Sequence, residues 1–286
     1  MNFVEIKTSY SPEVALENIV SNTDKSFGSM VSSIAQYLPD LRNMLTYPVQ
    51  QLTHLKDTTK EIPSGVLSSL SNIFGSSYIT NEEFGAYNKA KITTPESFTG
   101  NLGDYSEYLN RSWTFLIERA LPQIDLFYGF LATFASNKEA KISLTDTTKI
   151  YKALEEEHKV LKKEGVSYFG DLRHNASSSV LGSCFYDFEQ FRKTQQTSST
   201  LCKDLSVKQA TQVCDKIKKI SSVLDVIIED AKVRNYDKAS YEAVKSLAVG
   251  IYALAEVLEF YTVTYYRIVE LGSAMAANKA VITKLK

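Results

Sequence analysis

The chain reads as an all-α protein. A bundle of long helices is expected over residues 104–286, behind a region of short helices and turns over residues 1–103. Three observations predict this. The last proline is Pro122, and the 164 residues after it hold only six glycines. Proline costs a helix interior about 3 kcal/mol and glycine about 1 kcal/mol, so that stretch lacks the main helix breaker. Apolar residues recur through it at spacings of three and four, the period of a helix face. Finally, a content of 44% hydrophobic and 23% charged residues is ordinary for a globular protein that buries a core.

The first 103 residues carry five of the six prolines. Phe3 to Lys7 is too short to assign and is taken as an extended arm. Ser11-Pro12-Glu13 is a helix start: a hydroxyl cap, proline at the first helical position, and an acid near the positive helix end. Phe27, Met30, Val31, Ile34 and Leu38 share a helical face that stops at Pro39. Asp40 caps a helix with Leu41, Met44 and Leu45, and Leu52 and Leu55 extend an apolar face after Pro48. Ser64 opens a short helix through Val66, Leu67, Leu70, Ile73 and Phe74, closed by Gly75. Asn81 caps a further turn with Phe84, and residues 92–103, with Pro95, Gly100 and Gly103, look like a linker.

From Asp104 the helices lengthen. Asp104 is read as the cap of a helix whose face is Tyr105, Tyr108, Leu109, Ser112, Trp113, Leu116, Ile117 and Ala120, interrupted at Pro122. Ile124, Phe127, Phe130, Leu131 and Phe134 continue an apolar face beyond it. The next helix starts at Thr145 or Asp146, turns Ile150, Leu154, His158 and Leu161 inward, and ends at Gly165. Val180, Leu181, Cys184, Phe185, Phe188 and Phe191 mark a helix running towards Cys202. Ser206 caps the cleanest segment, where Val213, Ile217, Ile220, Leu224, Ile227 and Ala231 form a heptad seam. The last segment, from about Asp237 to Lys284, would span roughly 70 Å as one helix.

Charge and motifs narrow the function. Net charge is −1, made of −3 over residues 1–103 (7 basic, 10 acidic) and +2 over residues 104–286 (25 basic, 23 acidic). Neither part has the basic excess that phosphate binding needs, so no specific nucleic-acid partner is expected. The opening residues carry an early acid and no apolar run, unlike a secretory signal. Cys184, Cys202 and Cys214 are widely spaced and read as three reduced, mostly buried thiols. His158 lies on an apolar helix face, and no pattern brings it together with His54, His174 or a cysteine, so no metal and no cofactor is expected. Cys184 sits among Val180, Phe185 and Phe188, which disfavours a thiolate nucleophile. Glu155-Glu156-Glu157 reads as a solvated helix face with lysine partners. The chain is therefore expected to have no catalytic residues and not to be an enzyme.

Two features suggest contacts instead. Leu247 to Ala255 is uncharged, yet Glu256 and Glu259 keep it far short of the roughly 20 apolar residues of a membrane span. A buried helix is expected there; a segment that a helical pore-forming toxin inserts into membranes is the alternative. Tyrosines crowd the same helix, and tyrosine offers a rigid contact area with a polar tip. Tyr252, Tyr261, Tyr265 and Tyr266, with Phe3, Val4 and Ile6 of the arm, are the candidate subunit-contact residues.

Proline- and serine-punctuated short helices (Ser64 to Ser77, Thr93 to Gly103), followed by a tyrosine-rich bundle (Tyr241 to Tyr266) at near-zero charge, give the chain a particular style. In that style it resembles the virion structural proteins of large tailed bacteriophages. The resemblance implies a structural subunit of the head interior, capsid, tail or baseplate, made in the host cytoplasm. Its partners would be other structural proteins or copies of itself. A helical enzyme or adaptor is the further alternative.

Overall fold

A computed structural model describes residues 81–86, 89–95, 98–136, 144–168, 178–205, 207–233 and 238–284, with scattered positions between 39 and 54. The fold is all-α. The described elements are α1 (Asn81–Ala86), β1 (Lys91–Thr93), α2 (Leu102–Phe115), a π-helical turn (Leu116–Ala120), α3 (Leu121–Ser136), α4 (Leu144–Ser167), β2 (Ser178–Val180), α5 (Leu181–Cys184), α6 (Phe188–Asp204), α7 (Val207–Val233) and α8 (Lys238–Lys284). The chain forms two compact units. The first takes Met1–His54, Ile117–His158 and Ala210–Phe260; the second takes Leu55–Leu116, Lys159–Gln209 and Tyr261–Lys286.

In the first unit the heptad seam of α7 is buried as its spacing predicts, at Val213, Ile217, Ile220, Leu224 and Ile227. Ile124, Phe127 and Leu131 of α3, Leu154 and His158 of α4, and Ile251, Leu254, Val257 and Leu258 of α8 complete this core with Leu45. α8 comes close to α3 at Gly250: a Cβ there would overlap the Phe127 ring. Ion pairs rim the core. Arg42 Nε lies 2.5 Å from Asp225, Lys216 Nζ lies 2.7 Å from Asp125, and Arg119 pairs with Glu157. All are partly exposed, so each contributes under about 1 kcal/mol.

In the second unit α2 buries Leu102, Tyr105, Leu109 and Trp113, with Phe191, Leu201 and Cys202 of α6 and Tyr261, Tyr265, Ile268 and Leu271 of α8. Phe84 of α1 reaches Phe188 and Phe191, with ring centroids 5.9 and 5.4 Å away. The N-terminal ends of α2 and α6 share a polar network. Asn101 Nδ2 donates to Gln190 Oε1 (3.0 Å), and Gln190 Nε2 donates to Asp104 Oδ1 (3.1 Å). The Tyr186 hydroxyl donates to the other Asp104 oxygen (2.8 Å).

The structure departs from the sequence reading at several places. The α2 cap is Asn101, whose side chain accepts the Asp104 N–H, so Asp104 stands inside the first turn. Asn and Asp are near-equal caps, and only the tertiary setting chooses between them. Pro122 does not break the helix. A π-helical turn precedes it and leaves the proline in the first turn of α3. That wider turn opens the hydrogen-bond ladder where the ring would otherwise clash with the carbonyl four residues back. α4 starts at Leu144 and runs through Gly165 to Ser167. Gly165 is small for a packing reason: a Cβ there would strike the Tyr108 hydroxyl. The helix expected from Val180 is divided. Val180 ends β2, α5 is a single turn, Phe185 is extended, and Asp187 caps α6 by accepting the Gln190 N–H. The reading of residues 1–80, including Phe3, Val4 and Ile6, falls almost wholly outside the described residues, as does the Ser206 cap.

The stretch expected as a linker opens on β1, which pairs antiparallel with β2: Lys91 faces Val180, Ile92 faces Ser179 and Thr93 faces Ser178. A three-residue strand is too short for alternation to show in a sequence. Its other edge is held by α8. Asn278 Oδ1 accepts the Thr93 N–H at 2.6 Å, and Asn278 Nδ2 donates to the Thr93 carbonyl at 2.8 Å. Asn278 is only 2% exposed and its amide makes both bonds, so Asn278→Ala removes two hydrogen bonds at once and empties a packed position. It should cost about 2–4 kcal/mol in a urea titration. Asn278→Asp should cost more, because the second oxygen would face the Thr93 carbonyl.

Candidate functional site

Two of the four tyrosines expected to make subunit contacts are core residues. Tyr261 and Tyr265 are 0% and 1% exposed. The Trp113 ring lies nearly parallel to Tyr261 at 5.5 Å and edge-on to Tyr265 at 6.4 Å. Those two rings are thus buried within the chain, which corrects the expectation for them, while Val263 of the same helix is 43% exposed. Tyr266 is half-buried, with the Arg267 guanidinium 5.9 Å from its ring centre. Tyr252 lies in α8, and its side chain is outside the described set.

A second aromatic cluster surrounds Tyr105. Its ring lies 5.1 Å from Phe98, 6.0 Å from Tyr108 and 5.2 Å from Tyr168. Burial pushes the Tyr105 hydroxyl well above its ordinary pKa, although the nearby Arg267 charge works the other way. Arg267 pairs with Glu270 at 2.8 Å. Burial also raises Tyr108, and burial with the Glu164 charge lifts Tyr168 to about 12. These phenols hold their protons at neutral pH and cannot serve as bases there.

The groups that could carry chemistry sit in structural settings. His158 is buried, edge-on to Phe260 at 5.1 Å. All three cysteines are buried thiols outside any disulfide. Burial alone lifts the Cys202 thiol from 9.0 to about 12, far from the range of a nucleophilic thiolate. Among the described residues no group of three or more His, Cys, Asp or Glu could hold a metal ion. Glu157 is engaged by Arg119, and Glu156 points to solvent. Gly250, Ile251, Ala253, Leu254 and Ala255 are buried, as the packed-helix reading expects. Among the described residues no helix is long and apolar enough to cross a membrane.

These raised pKa values set an alkaline limit. The folded chain keeps protons on Cys202, Tyr105, Tyr108 and Tyr168 that the unfolded chain would release. Stability is therefore complete below about pH 9 and falls as pH rises from there towards 12. Urea midpoints measured across that window should decline steadily, with the Tyr105, Tyr108 and Tyr168 share of the tyrosinate absorbance appearing only on unfolding.

The surface feature that the sequence reading missed is α3. Its sixteen residues include one charged side chain, Asp125, which Lys216 engages. Ile124, Phe127 and Leu131 point inward as expected. Off that face, Leu126 is 53% exposed and Tyr128 is 36% exposed. Beside them Gly129 looks onto open space, with nothing within 4 Å of where a Cβ would stand. The available signal was the near-absence of charge on every side of the helix, which a search for one apolar stripe passes over.

Comparison with protein-family models, with curated proteins and with solved structures finds no match.

Proposed function

We propose that this chain is a non-enzymatic structural subunit of a larger assembly, held by helix–helix contacts. The observation that carries the reading is α3, which exposes Leu126, Tyr128 and an open glycine and has Asp125 as the one charged residue of its sixteen. Exposed apolar groups gathered on one element are a feature of protein contact sites. The Phe3–Ile6 arm is a second proposed contact. The setting that the sequence style implies is the particle of a large tailed bacteriophage, with other structural proteins or further copies of this chain as partners. Two measurements together test it: sedimentation of the purified chain over a wide concentration range, and mass spectrometry of purified particles. Concentration-dependent association, or the chain's presence in particles, is expected. A chain that stays monomeric at high concentration and is missing from particles overturns the proposal. The toxin alternative gains no support: within its membrane segment Gly250 abuts the Phe127 ring, and Ile251, Ala253, Leu254 and Ala255 are buried.

A further inference from the structure

We draw no further inference here: the strongest candidate, the outward patch of α3 around Leu126 and Tyr128, already carries the assembly reading, and nothing in the structure shows what covers it.

Discussion

Trp113→Ala should remove about 3–5 kcal/mol of stability, the cost of deleting a large aromatic from a core that cannot collapse into the space. Trp113 is buried on α2 and meets both Tyr261 and Tyr265, so three rings lose their packing together. A typical domain has about 5–15 kcal/mol in all. The variant should therefore unfold at a much lower urea concentration, and Trp113→Phe should recover most of the loss. An alanine variant with an unchanged midpoint would mean that these rings are not a core. The prediction tests whether Tyr261 and Tyr265 hold the chain together or serve a partner.

Gly250→Val should destabilise by about 3 kcal/mol or more through overpacking. A Cβ at Gly250 would lie 2.8 Å from Cδ2 of Phe127 and closer still to Cε2. Phe127 is itself fully buried beside Ile124 and Leu131, so the ring has no open space to move into. Gly129→Ala in α3 is the matched control. Nothing lies within 4 Å of its Cβ position, and helix propensity there favours alanine by about 1 kcal/mol. Opposite signs for the two substitutions in urea titrations are the expected result.

Long-period features were the legible ones. The proline-free stretch foretold α8, which runs unbroken from Lys238 to Lys284. The 4-3-4-3 spacing of α7 named five side chains that are buried in the structure. Such signals sum over many residues, and no single partner decides them. Features that hang on one tertiary contact were not legible. β1 needs β2, 87 residues away, and the carboxamide of Asn278. Gly165 reads as a helix stop until Tyr108 is seen against it. Tyrosine is ambiguous by its chemistry: a large ring with a polar tip suits a core and a surface alike. Tyr261 and Tyr265 went inward because Trp113 meets them there, which the sequence of α8 alone does not encode.

The most direct test of the account is sedimentation velocity of the full chain beside a Leu126→Glu/Tyr128→Glu variant. The substituted positions are 53% and 36% exposed, so the helix should be retained, which circular dichroism checks. The wild-type chain should associate as concentration rises, and the variant should need at least about tenfold more protein to reach the same degree of association, the consequence of losing about 1.4 kcal/mol of apolar contact. Identical association curves for the two proteins would contradict the claim that α3 is a contact surface.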